Sequence, residues 1–162
     1  STDRPAVIDA DGLNALAGHL DALRDHARGR WILTPHAGEF ERLAEPDADL
    51  SDRIHTARSY AQRWNSVLLL KGMPSLVGTP EGTVYINSTG NPALAVAGTG
   101  DVLAGFCTGL LAQGMTPAQA AVGALHIGGA AADRYAAHYT ARSMQAPDLI
   151  DQIPHVLRER FS

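Results

Sequence analysis

The residues best able to do chemistry are Ala97-Gly98-Thr99-Gly100-Asp101, which stand directly ahead of a segment with helical periodicity. Glycines admit backbone conformations that turn successive N–H groups toward one point, and a helix N-terminus adds roughly half a positive charge. An anion such as a phosphoryl oxygen is favoured at such a place. Asp101 has two readings: it caps the helix, or it projects outward and takes a proton from a hydroxyl attacking a phosphoryl group. The glycine spacing matches neither the eight-residue P-loop nor the dinucleotide fingerprint.

Four other clusters carry groups of the same kind. Lys71 is the only lysine against twelve arginines, and it is followed by Gly72, which permits close backbone approach. Asp9 and Asp11 are spaced to hold Mg²⁺ through water, although Asp11 reads better as a cap for the helix entering at Gly12. His36 and Glu39 lie at a turn entering a helix, where Glu39 could also satisfy first-turn N–H groups. Asn87-Ser88-Thr89-Gly90-Asn91-Pro92 supplies small polar groups a few residues before the glycines, so Asn91 is a candidate to line the same pocket. His126 lies in apolar surroundings and reads as a core residue, and the remaining histidines show no metal-ligand spacing.

These clusters need a scaffold that gathers them. Short apolar runs at residues 6–8, 31–33 and 67–70 lack polar alternation, as parallel strands covered on both faces do. Helical periods at 12–28, 39–44 and 52–64, the last with a candidate Ser51 cap, alternate with them, which argues for an α/β sheet with right-handed crossovers. Residues 75–78 and 83–86 flank Thr79-Pro80-Glu81-Gly82 and predict an antiparallel hairpin, hence a mixed sheet. Helices are predicted at 101–113, from Thr116-Pro117 to about Tyr139, and at 147–160. Ligands of open α/β sheets collect outside the carboxyl ends of the strands. Asp9, His36 and Lys71 follow three successive strands, so they should share one edge with the hairpin exit and the glycine-rich helix start.

Composition removes several function classes. The 162 residues are 45% apolar, enough for one domain and too few for two. A net charge of −4 without like-charge blocks gives no basic stripe for nucleic acid or an anionic membrane. No apolar run spans a bilayer, and the opening Ser1-Thr2-Asp3-Arg4-Pro5 lacks the apolar core of a secretion signal, so a cytoplasmic location is expected. Cys107, the single cysteine, reads as a small buried hydrophobe. Helices rich in alanine and glycine favour packing between copies, so a homo-oligomer is expected. The first apolar strand begins within six residues of the start, with no preceding glycine-rich turn, and part of the domain is expected to lie outside this sequence.

Taken in order, Asp9-Ala10-Asp11-Gly12-Leu13-Asn14, Leu33-Thr34-Pro35-His36-Ala37-Gly38-Glu39, Leu70-Lys71-Gly72, Thr89-Gly90-Asn91-Pro92 and Gly98-Thr99-Gly100-Asp101-Val102-Leu103-Ala104-Gly105 closely resemble the ADP/ATP-dependent NAD(P)H-hydrate dehydratases of the ribokinase-like superfamily. The resemblance covers nearly the whole chain. It implies a three-layer α/β sandwich whose N-terminal section is absent, leaving residues 1–162 as one partial domain to be completed in cis or by another chain.

The implied activity is that of a hydro-lyase: ADP or ATP, with Mg²⁺, phosphorylates the ring hydroxyl of hydrated NADH or NADPH, and loss of phosphate restores the dihydronicotinamide. Asp101 would be the catalytic aspartate touching the hydrate, with Gly98, Thr99 and Gly100 as its anion hole. His36 and Asn91 would face the substrate. Lys71, Gly72, Met73, Pro74 and Ser75, with Gly100, would hold the nucleotide, and Asp9 and Glu39 are the metal candidates. Alanine at 37 and 97 and serine at 75 replace the family's commoner proline, glycine and threonine. Two other readings share these features: a ribokinase-like kinase acting on a vitamin-precursor hydroxyl, and a nucleotide-binding or assembly module without turnover.

Overall fold

Residues 4–46 and 48–161 are described by the structure, a computed structural model; the opening Ser1-Thr2-Asp3, residue 47 and Ser162 lie outside them. Three strands, β1 (Ala6–Ile8), β2 (Trp31–Leu33) and β3 (Val67–Leu70), run parallel, with Ile8 opposite Leu33 and Leu33 opposite Leu68. β4 (Leu76–Gly78) and β5 (Val84–Ile86) follow as an antiparallel hairpin, giving the order β1-β2-β3-β4-β5. The mixed sheet expected from the sequence is thus present.

Side chains alternate across a strand, and the core divides accordingly. Leu33, Leu68 and Leu70 face one side, where they meet Leu13, Leu23, Phe40, Tyr60 and Trp64. These come from α1 (Asp11–Leu16), α2 (Leu20–Ala27), α3 (Ala37–Leu43) and α4 (Arg53–Arg63), together with Trp64 just beyond α4. Ile32, Val67, Leu69 and Val77 face the other side and pack on Cys107, Leu110, Ala120, Ala121 and Ala124. Those belong to α5 (Thr99–Ala112) and α6 (Pro117–His138). A third cluster, with Ile127, Ala131, Met144, Leu149 and Val156, seats α7 (Ala146–Phe161) on α6. Helices on both faces of one sheet make three layers.

Several local expectations change. The period over 12–28 is two helices, because the chain breaks at Ala17-Gly18-His19, where Gly18 takes φ +79°. Asp11 does not cap α1; it lies in the first turn, where the helix dipole favours a carboxylate, and accepts a long 3.5 Å bond from Asn14. Asp52, rather than Ser51, caps α4 by accepting from the His55 N–H at 3.0 Å. His126 is only half-buried, and its ring meets Arg160 of α7 at 2.6 Å. Thr116 opens α6 as expected, in a capping box with Gln119 and with Pro117 in the first turn.

Candidate active site

β1 and β2 end level, at Ile8 and Leu33, and β3 runs two residues further to Leu70, so the residues following all three strands leave at the same edge of the sheet. The Lys71 N–H donates to the Pro35 carbonyl at 2.9 Å, and the Thr34 N–H donates to Ile8 at 3.1 Å, which ties the three exits together. Lys71 Nζ then lies 3.0 Å from Asp9 Oδ1 and 3.6 Å from Glu39 Oε2. All three side chains are largely buried, Glu39 to 9% exposure. One ammonium between two half-dry carboxylates is a compact electrostatic unit, stronger than a surface pair because water screens it less.

His36 and Glu39 form the N-terminus of α3. The His36 N–H donates to Glu39 Oε2 at 2.8 Å, and the Glu39 N–H donates to His36 Nδ1 at 3.3 Å, a capping box in which histidine replaces the usual hydroxyl residue. The first-turn role read for Glu39 is therefore present, alongside its contact with Lys71. The His36 ring stays 56% exposed, available to a ligand at the sheet edge.

Residues 72–75 form a loop closed by Ser75, whose hydroxyl donates to the Gly72 carbonyl at 2.9 Å and accepts from the Gly72 N–H at 3.2 Å. The Met73–Pro74 bond is cis. From α4, Arg53 donates to the carbonyls of Pro74 at 2.6 Å, Lys71 at 3.2 Å and Leu70 at 3.3 Å. An open groove lies beside this loop, with Asp52, Arg53 and Ile54 on one wall and Met73, Pro74 and Leu76 on the other. Partial burial pulls the Arg53 guanidinium down from its ordinary range.

The hairpin exit is fastened to α6. Asp133 accepts from the Gly90 N–H at 2.8 Å and from Asn91 Nδ2 at 2.9 Å, while Asn91 Oδ1 accepts from the Ala93 N–H at 3.0 Å. Asn91 thus caps a 3₁₀ turn, Pro92–Ala95, with both ends of its amide engaged inside the protein. The Thr99 hydroxyl is 2.7 Å from the Leu94 carbonyl and 2.8 Å from that of Val96, and Thr99 itself is buried. Its side chain therefore locks the approach to α5 and does not face the pocket. Its N–H makes only a long 3.4 Å bond to Val96.

Gly98 precedes α5 with φ +88°, a conformation that side chains rarely adopt, and a Cβ there would sit 3.0 Å from Ala146. Asp101 lies in the first turn, is exposed, and makes no capping bond; among the described residues its carboxylate has no hydrogen-bond partner. The Gly100 and Asp101 N–H groups are first-turn donors with no intrahelical acceptor. A Cβ on Gly100 would lie 3.6 Å from Lys71 Nζ and 3.8 Å from Asp9 Oδ2. The helix start and the strand ends therefore adjoin, as their order in the sequence predicts.

Sequence reading passed over Arg53 and Asp133. The one signal for Arg53 was a cation at the first position of a helix, where the dipole disfavours it. Asp133 sits inside a helical period and gives no local signal. Cys107 is fully buried, which pushes its thiol up to about 12 and agrees with its reading as a core residue. Among the described residues, no group of three or more His, Cys, Asp or Glu side chains gathers to hold a metal, and no helix is long and apolar enough to cross a membrane.

Three comparisons bear on this arrangement. The family described as NAD(P)H-hydrate dehydratase matches residues 1–155. The bifunctional NAD(P)H-hydrate repair enzyme Nnr of Salinibacter ruber is 59% identical over 161 residues, which are 99% of this chain and 30% of that protein. The ADP/ATP-dependent NAD(P)H-hydrate dehydratase of Bacillus subtilis, co-crystallised with ATP/Mg²⁺ and soaked with CoA, superposes with a TM-score of 0.84 at 31% identity, over 98% of this chain and 57% of that one. A ribokinase-like superfamily protein of Enterococcus faecalis, 22% identical with a TM-score of 0.82 over 98% of this chain and 54% of its own, shares the fold. The chain thus spans under a third of the length of the curated relatives it matches.

Proposed function

The chain belongs to the NAD(P)H-hydrate dehydratase family, and from that premise we propose that it carries the nucleotide-dependent dehydration of hydrated NADH or NADPH. The reading rests on the juncture of Gly100 with Lys71 and Asp9, where a first-turn amide and an ammonium flank one space beside a free carboxylate. In the proposed reaction the ring hydroxyl, relieved of its proton by Asp101, attacks the terminal phosphorus of ADP or ATP. Phosphate then departs with its C–O bonding pair as the adjacent ring carbon loses a proton, which restores the dihydronicotinamide. Hydroxide is a poor leaving group and a phosphate ester a good one; amides that hold the developing charge without reorganising are the kind of assistance that dominates phosphoryl transfer.

Gly98 and Gly100 would supply the anion cradle, and Thr99 would hold its shape. His36, with its exposed ring, would touch the hydrated dinucleotide. Lys71 and the loop through Ser75 would hold the donor. Mg²⁺ keeps several waters and commonly takes one or two carboxylates plus substrate phosphates. Asp9 and Glu39 are the two carboxylates at this edge that would serve that partial role, and to do so they would share their charge between the ion and Lys71, which they face now. The ion would neutralise phosphate charge when bound.

β1 is the edge strand, and its three residues are only half-buried, whereas β3 is buried throughout. Parallel strands are ordinarily covered. The remainder of the domain, in cis or from another chain, would lie along that edge, and Gly105 and Gly109 on α5, where an added Cβ meets nothing within 4 Å, leave room for it or for a second copy. A cytoplasmic location goes with this reading, since the nucleotide donor and the dinucleotide are found there. The open edge also favours a second reading, a module that binds nucleotide and turns nothing over unaided.

The test is recovery of dihydronicotinamide absorbance from hydrated NADPH with ADP or ATP and Mg²⁺, by the chain alone and with the N-terminal part of its family's domain added. Recovery in the completed protein supports the dehydratase. Nucleotide binding without recovery in either form selects the silent module, and phosphorylation of a vitamin precursor with no recovery selects a kinase.

A further inference from the structure

We propose that Arg53 is a positioning residue for the phosphoryl donor, holding the backbone of residues 70–74 in the one shape that presents Lys71. The inference rests on the donor-site reading above. Asp52 caps α4 and so delivers Arg53 to its first position, where the helix dipole opposes a cation. Something must offset that placement. No carboxylate among the described residues pairs with the guanidinium; it spends its donors on the carbonyls of Leu70, Lys71 and Pro74 instead.

Those three carbonyls flank the residues that leave β3, and the planar fork reaches them from two nitrogens held at a fixed spacing, which the single nitrogen of an ammonium does not offer. Gly72 is part of the same device. A Cβ on it would overlap the Arg53 guanidinium, so glycine here makes room for the arginine. Ser75 closes the loop from within through Gly72, and Arg53 braces it from outside. With the carbonyls turned toward Arg53, the Lys71 side chain is left on the opposite side of the strand exit, toward Asp9 and Gly100. The uncompensated cation beside the loop also favours an anion nearby.

The test measures ADP affinity by calorimetry with Mg²⁺, amide exchange at residues 71 and 72, and the thermal midpoint, in wild type, R53A, R53K, G72A and R53A/G72A. R53A is expected to weaken ADP about tenfold, to speed exchange at Lys71 and Gly72, and, in the completed enzyme, to raise KM for ADP while leaving KM for the hydrate within about twofold. R53K is expected to recover less than half of the loss on a logarithmic scale. G72A should weaken ADP about as much as R53A and cost less in the R53A background, where the clash is gone and only the strain of a side chain at φ +157° remains. R53A affinity within twofold of wild type, full recovery by R53K, or an equal G72A cost in both backgrounds overturns the proposal. A wild-type chain that binds no ADP overturns the donor-site reading instead, and the brace then stands or falls on whether R53A accelerates exchange at Lys71 and Gly72.

Discussion

The two halves of the site handle charge in opposite ways. At the strand ends, Lys71 answers Asp9 and Glu39 at 3.0 and 3.6 Å, and all three side chains are largely buried. At the start of α5, a few ångströms away, Asp101 stands exposed with no hydrogen-bond partner among the described residues, and the Gly100 and Asp101 amides have no intrahelical acceptor. In the first half each charge is answered from within the protein. The second forgoes hydrogen bonds of about 1 kcal/mol each, as sites built for a ligand do. On the proposed reading, the reacting groups lie on the helix side and the fixed electrostatic frame on the sheet side.

The largest expected effect falls on the open half. Asp101→Asn should lower the turnover of the completed enzyme by about 10²–10⁴-fold, the range for loss of a general base. Stability should change by less than about 0.5 kcal/mol, since the residue is exposed and unbonded. Single-turnover kinetics and a urea titration check the pair of outcomes. A large stability loss with intact turnover would return Asp101 to the role of a helix cap and erase the contrast between the halves.

The next effect lies at the seam. Thr99→Val keeps the shape of the side chain but removes the hydroxyl that serves the Leu94 and Val96 carbonyls. Losing these part-buried hydrogen bonds should cost about 0.5–1.5 kcal/mol. Urea unfolding measures that cost, and turnover should fall with it because Gly98 loses its fixed approach. A neutral result would mean that the left-handed turn at Gly98 holds the cradle without help.

A smaller effect is expected on the closed half. Lys71→Met removes the shared cation, and ADP binding should weaken by about tenfold, near 1.4 kcal/mol. Calorimetry reads this directly. If affinity is unchanged, Lys71 serves only Asp9 and Glu39, and the sheet side is frame alone.

Most of the frame was legible because its signals are local. Each of the three parallel strands is a short apolar run bounded by polar or turn residues, and Leu68 and Leu70 alternate with Val67 and Leu69 between the two cores as the period of two demands. The Thr116 cap followed by Pro117 was visible for the same reason, though its box with Gln119 was not read. The break at Gly18 was not, because its flanks keep the apolar spacing of one helix while a single backbone torsion ends it. The site divides along the same line. Asp101, Lys71 and His36 sit at element ends that the pattern locates. The holds that fix them join residues 17 to 43 positions apart: Arg53 to Leu70, Lys71 and Pro74, and Asp133 to Gly90 and Asn91. Such side-chain bonds depend on how elements pack, which no spacing encodes. Asn91 illustrates the point: it reads as a pocket residue, and the holds of its amide on Asp133 and Ala93 appear only once the elements pack.

The smallest expected effect is an absence, and it tests whether the openness of α5 ends with its first turn. Cys107 lies on the same helix as Asp101, less than two turns on, and is fully buried between α5 and the sheet. Burial raises its thiol from 9.0 to about 12, with the charge of Asp9 adding in the same direction. The thiolate is the reactive form, so iodoacetamide at pH 8 should leave the folded protein unlabelled while labelling it in urea, as intact-mass measurement would read. The sign of the pH dependence follows. A thiol whose folded value is raised contributes stability that is complete below about pH 9 and is lost as pH climbs toward 12, because only the unfolded chain ionises in that interval. A urea midpoint that falls across this window in wild type and falls less in Cys107→Ala would assign that part of the loss to the thiol. Labelling of the native protein at pH 8 would mean that α5 opens below its first turn, and the boundary between the open end of the helix and its packed body would have to move.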